Sequence, residues 1–418
     1  MSITRRRATA AAVLAAAVAA TALPGCQSGE LAADGDVTIS YAFWAEDQKP
    51  AMQKIADAFE VEHPNVTIDL QVTPFGEYFT KLQTAVSGGS GPDVFWLHAP
   101  SFQLYAANGM LAPLDVKAED YPEALVDMYS YEGTHFGAPK DFDTIGLWYN
   151  KKLFDEAGVA YPTDDWTWDD LKSTAAALTA AGKGFYGIAA PQYGQTNFYN
   201  SIPQAGGEVI SADGTKTGYG TPEAEQGIKL WLDLIEAGSS PTAQQMADTI
   251  PEDLFASGKV AMLQYGSWAA LTYSKNPDLA NNVDVVRLPH GPASNASVVH
   301  GIGNVANAKS SHVDIAKEFA LFASGPEAAE IQAESGTVIP AFNGSQQAWV
   351  NAYPQYRVQT FIDAVQNAAP YPASKNTAVW MTIESDVLAK VWSGSIDLDA
   401  GLVEIAEKMQ AALDEEAK

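Results

Sequence analysis

The chain is poor in cysteine, in positive charge and in long apolar runs, and each shortage removes a class of protein. Its single cysteine, Cys26, cannot pair within the chain, so no disulfide framework holds the fold. Lys and Arg number 24 against 51 Asp and Glu, a formal charge of −27. Such a surface repels phosphate backbones and anionic lipid headgroups, which excludes nucleic acid as a partner and disfavours anionic ligands outside a local basic pocket. The histidines (His63, His98, His135, His290, His300, His312) are scattered, without His-Glu-x-x-His or paired-cysteine spacing for a metal. There is no Gly-x-Ser-x-Gly elbow and no Gly-x-x-x-x-Gly-Lys phosphate loop. No cofactor is expected.

What is present is a long, well-mixed chain. At 418 residues, 47% of them hydrophobic, it exceeds one ordinary core, so two domains are expected. Residues 1–26 carry Arg5, Arg6 and Arg7 and no acid, which leaves −30 on the remainder. The arginines precede an alanine-rich run, Ala10–Leu23, short for a membrane span and ending Leu23-Pro24-Gly25-Cys26. That ending resembles the bacterial lipoprotein cleavage box, in which the cysteine is diacylated. Residues 1–25 then read as a signal peptide, general or twin-arginine, and 26–36 as a flexible tether. An ordinary cleaved signal with a stray cysteine is the plainer alternative. The protein is expected outside the cytoplasmic membrane, held there by a lipid on Cys26 alone.

From Val37 the pattern alternates between strand and helix. Val37–Trp44, Val66–Val72 and Asp93–Leu97 read as strands, and Lys49–His63 and Glu77–Val86 as helices with apolar residues at helical spacing. This rhythm predicts a parallel sheet covered by helices, with ligands beyond the carboxyl ends of its strands. Trp44-Ala45-Glu46-Asp47, Thr73–Tyr78 and His98-Ala99-Pro100 lie at those ends. A second unit follows Pro139–Phe154, where a polar turn with Asp141 and Asp143 leads into an apolar strand, Ile145–Tyr149. In extended chain the two carboxylates share a face; as plain turn residues they would only be solvated. Thr167-Trp168-Asp169-Asp170 and Thr221-Pro222-Glu223 read as capped helix starts. Gly301-Ile302-Gly303-Asn304-Val305-Ala306 matches a dinucleotide loop only on paper, because no helix follows at once. Its glycines are expected to let backbone approach a cleft.

Several of these stretches occur together in one family. The Pro-x-x-x-acid turn before a strand ending Tyr149-Asn150-Lys151, Phe59-Glu60-x-x-His63-Pro64, Gly89-x-Gly91-Pro92-Asp93-Val94, and the Gly266-Ser267-Trp268 turn resemble the family 1 extracellular solute-binding proteins, the carbohydrate-binding components of ABC importers. The resemblance runs from about Val37 to Leu413. It implies an α/β fold of two lobes in the type II periplasmic-binding-protein arrangement, a cleft between the lobes and three crossings. These are expected near Asp141–Asp143, His300–Gly301 and Pro340–Phe342, with residues 37–143 and 301–342 in one lobe and 144–300 and 343–418 in the other. It also implies delivery of an oligosaccharide to a membrane permease, and a monomer is expected.

A sugar offers a C–H face to aromatic rings and a rim of hydroxyls to fixed polar groups. On that chemistry and the resemblance, the expected ligand-binding residues are Trp44, Glu46, Tyr78, His98, Asp141 and Asp143 from the first lobe and its hinge. Asn197, Phe198, Trp268 and Trp380 come from the second, with Gly301 and Phe342 at the other crossings. For the tryptophans the competing reading is ordinary core; Trp231, in a helix stripe with Ile228 and Ile235, is expected there, and Trp166 and Trp168 fit either class. Two other functions stay open. An exported carbohydrate-active enzyme would need two opposed carboxylates, such as Asp141 or Asp143 with Glu46 or Glu77. A binding protein for a non-sugar, such as a polyamine, would suit the acidic surface.

Overall fold

The computed structural model describes residues 35–416. Cys26, the expected signal peptide and most of the expected tether lie outside the described residues. Apolar alternation from Val37 builds β1 (Val37–Phe43), β2 (Val66–Val72) and β3 (Val94–His98). β1 runs parallel to both neighbours and pairs with β2 along its length, from Val37↔Val66 to Phe43↔Val72. Helices Lys49–Glu62 and Phe75–Ser87 connect them, burying Met52, Ile55 and Phe59 from one and Tyr78, Leu82 and Val86 from the other. Pro64 follows the first helix closely and cannot continue it.

A short hairpin of β4 (Ser130–Tyr131) and β5 (Thr134–His135) leads into β6 (Gly137–Asp143), then β7 (Ile145–Asn150). The polar turn expected around Asp141 and Asp143 is therefore the end of a strand. Long-range pairing overrides the local turn chemistry: Asp141 faces Ile302 on one side and Pro340 on the other. The remaining strands are β8 (Tyr186–Ile188), β9 (Val260–Gly266), β10 (Val283–Val286), β11 (Val298–Ala306), β12 (Ile339–Pro340) and β13 (Ala369–Pro370).

Two sheets result. The larger has the order β12-β6-β11-β3-β1-β2, with β13 beside the start of β11, and the smaller β10-β7-β9-β8. The expected parallel sheet holds for β2-β1-β3, but β11 enters antiparallel between β3 and β6. Gly301–Ala306 lies wholly inside β11, so the nucleotide-loop reading has no turn to stand on. One buried cluster gathers Ile39, Tyr41, Phe59 and Trp96 and runs on to Trp148, Leu263 and Val283 of the smaller sheet. A second gathers Leu147, Leu171, Trp231 and Leu388, closed by helices Thr377–Trp392 and Leu398–Glu416. Thr144 alone separates β6 of the larger sheet from β7 of the smaller. No helix among the described residues is long and apolar enough to cross a membrane.

Candidate functional site

A cavity of about 790 Å³ opens where the carboxyl ends of β1 and β3 meet the crossings, a size suited to a small-molecule ligand. One wall is aromatic and belongs to the first lobe. Trp44, just past β1, stands edge-on to Trp96 at 5.2 Å and to Tyr78 at 5.1 Å. Phe75 and Phe79, one turn apart at the start of helix Phe75–Ser87, continue it, and Phe79 stacks on His98 at 3.9 Å.

A second aromatic group on the lining is Tyr265 and Trp268, whose rings meet edge-on at 5.0 Å. Gly266 explains the local sequence. A Cβ there would lie 1.9 Å from the indole, so only glycine lets the ring fold back over the chain.

The floor is polar and tightly tied. Asp141 accepts from the Ile302 N–H at 3.1 Å and from Lys140 Nζ at 2.7 Å. Lys140 sits where the β6–β11 register shifts between Ile302 and Gly303. A bulge there re-aims its side chain inward. It also donates to Gln48 Oε1 at 2.8 Å and lies 4.3 Å over the Trp96 ring. Burial depresses the Lys140 ammonium's pKa and raises that of the Asp141 carboxyl, and the attraction between them opposes both shifts. Asp143 accepts from Gln195 Nε2 at 2.8 Å and lies 3.3 Å from His300 Nδ1. Its side chain keeps 18% exposure, enough to accept from a ligand hydroxyl. The Nδ1 of His98 is buried without a partner among the described residues. Burial, with His300 nearby, pushes its pKa down to about 3, so it is a neutral ring.

Beside this floor a recess lined by Gln195, Tyr371 and Met381 reaches Glu384. The Tyr199 hydroxyl donates to one carboxyl oxygen at 2.7 Å and the Tyr219 hydroxyl to the other. Burial raises this carboxyl's pKa to about 7. Among the described residues no cluster of three or more His, Cys, Asp or Glu is placed to hold a metal.

Five of the expected residues, Trp44, His98, Asp141, Asp143 and Trp268, line the cavity together. The others do not. Glu46 points to solvent, 3.8 Å from Lys49. Tyr78 is buried beneath Trp44, its hydroxyl donating to the Ala42 and Trp96 carbonyls. Asn197 and Phe198 lie inside a π-helical turn, Gly194–Phe198, which directs Gln195 to the groove and buries both of them, Phe198 against the adjoining recess. Gly301 faces the Asp141 carbonyl, 2.5 Å from where a Cβ would stand. Phe342 packs edge-on against Tyr121 at 5.8 Å. Trp380 is fully buried, its Nε1 donating to Ser374 Oγ, because its helix turns that stripe into the core and shows Ala378 and Met381 to the groove. Trp168 is likewise core, donating to Gln204 Oε1, and Trp166 packs against the same cluster.

Sequence reasoning missed Gln48, Phe79, Gln195, Tyr265 and Tyr371. A signal existed for Phe79, four residues after Phe75 in the first turn of a helix that starts at a strand end. Gln195 had none, since only the π turn aims it.

The sequence profile of the family described as "Bacterial extracellular solute-binding protein" matches residues 45–330. A binding protein of Brucella abortus is 29% identical over 238 residues, 55% of this chain and 57% of that protein; the chain thus matches little more than half the relative's length. A diacetylchitobiose-binding protein of Streptomyces coelicolor is 28% identical over 62% of this chain and 63% of its own. Among solved structures, an ABC substrate-binding protein of Listeria monocytogenes in complex with cycloalternan superposes with a TM-score of 0.83 at 27% identity, covering 91% of this chain and 99% of that one.

Proposed function

Because the chain belongs to the bacterial extracellular solute-binding proteins, we propose that it is the substrate-binding component of an ABC importer whose ligand is a carbohydrate, an oligosaccharide in particular. The observation that carries this reading is one cavity lined by two aromatic groups, Trp44 with Phe75 and Phe79 and Tyr265 with Trp268, together with polar side chains. Indole and phenyl faces take the C–H surface of sugar rings, and Asp143, Gln195 and His300 offer hydrogen bonds to hydroxyls. A cation would find less here, because Lys140 already neutralises Asp141, and Asp143 already accepts from Gln195 beside His300. Glu46 and Glu77, the partners a hydrolase reading would give Asp141 or Asp143, pair instead with Lys49 and Lys81 at the surface. The protein would act as a single copy, tethered through Cys26, and hand its ligand to the importer's permease subunits. The lobe division at 37–143 with 301–342 and 144–300 with 343–418 belongs to the same proposal.

A thermal-shift screen of maltotriose, diacetylchitobiose, arabinooligosaccharides and galactooligosaccharides, with spermidine beside them, tests the ligand class. A bound sugar at a hundred times its Kd adds about 2.7 kcal/mol of stability. Trp268→Ala should cost the active sugar about 2 kcal/mol of affinity; unchanged calorimetric affinity would take Trp268 out of the site. A shift with spermidine alone would move the ligand to the polyamines. Cys26→Ser should release the protein from the membrane fraction, and its retention there would refute the anchor.

A further inference from the structure

We propose that Gln48 binds the ligand through its amide N–H₂ end, fixed toward the groove by Lys140, so that the ligand must present an oxygen acceptor at that point. The inference rests on the carbohydrate reading above and adds a selectivity to it. Gln48 closes the 3-10 turn Glu46–Gln48 and immediately precedes helix Lys49–Glu62. It lines the cavity beside Trp44 and keeps 7% exposure.

Its orientation follows from Lys140. An ammonium carries three N–H donors and no lone pair, so a glutamine can meet it only with its carbonyl oxygen. Lys140 Nζ stands 2.8 Å from Gln48 Oε1, and its side chain is fully buried, held by Asp141 at 2.7 Å and by the Trp96 face at 4.3 Å. Turning the amide over would set its N–H donors against those of a fully buried ammonium. The Nε2 group, which has no partner among the described residues, is therefore the end that serves the groove. Beside Trp44 the Gln48 amide then offers two N–H donors to the groove. A sugar hydroxyl or ring oxygen satisfies them, whereas an ammonium or a deoxygenated carbon leaves them unpaired, at the cost of their desolvation.

Two substitutions separate this role from plain support of Lys140. Gln48→Glu keeps an oxygen on the ammonium but turns an acceptor to the groove; Gln48→Leu removes both functions. For each sugar of the screen that wild type binds, calorimetry should show both variants weaker by about threefold to tenfold. Gln48→Glu should melt as wild type does. In wild type the Gln48 side-chain amide signal, assigned by its loss in Gln48→Glu, should move in a ¹⁵N correlation spectrum when that sugar is added. Wild-type affinity in Gln48→Glu, or an amide signal that stays in place, would overturn this inference and leave the carbohydrate reading standing. A wild-type protein that none of the sugars stabilises would overturn both.

Discussion

Glu384 and His98 show how far burial moves single groups and in which direction each couples to folding. In the unfolded chain the Glu384 carboxyl titrates near 4.5, and in the fold near 7. Between these values only the folded state holds the proton. Its contribution is therefore complete below 4.5 and is lost as pH rises through 7, by about 3 kcal/mol in all. His98 runs the other way. Its pKa falls from 6.5 to about 3 on folding, so its contribution is present above 6.5 and is lost as pH falls. Glu384→Gln keeps an acceptor for one tyrosine and removes the titration. Urea unfolding across pH 4.5 to 7 should show the variant without the loss that wild type suffers, and superimposable profiles would refute the assignment. Because His98 is the same in both proteins, its opposing slope cancels in the comparison.

At the scale of elements, β11 is the strand on which the first lobe and the crossings depend. It lies between β3 and β6, and Tyr129 covers it, donating to the Gly301 carbonyl at 2.6 Å and the Leu97 carbonyl at 3.1 Å. Gly303 makes room for that ring, since a Cβ there would come within 2.7 Å of it. The Gly-x-Gly spacing thus admits a tyrosine and a neighbouring carbonyl, where it was expected to bring backbone to the cleft. Gly303→Ala should destabilise the fold by about 1–3 kcal/mol, since the ring is tethered at its hydroxyl and cannot swing aside. An unchanged urea midpoint would show that the ring moves freely. Helix starts were easier to foresee. Thr167 accepts from the Asp170 N–H while Asp170 accepts from the Thr167 N–H, a capping box contained in four residues.

For the whole molecule, the three expected crossings and the two aromatic groups describe a clamp. Gln195, from the second lobe, already reaches Asp143 at the hinge, and a ligand bridging Trp44 and Trp268 would add contacts that exist only when the lobes are shut. Such contacts shift the population toward the closed form. Small-angle scattering should show a smaller radius of gyration on adding a sugar that raises the melting temperature, and an unaltered radius would refute closure. The strand and helix order from Val37 on, the helix caps and the first aromatic wall at Trp44 and His98 were legible in the sequence, because periodicity, caps and strand ends are properties of neighbouring residues. Trp380 and Met381 differ by one position on one helix, and only its packing against the second core decided which of them met the groove. The same holds for Lys140 and Gln48, which are 92 residues apart. Local sequence cannot rank such partners, because burial and strand register bring them together only once the sheets have closed.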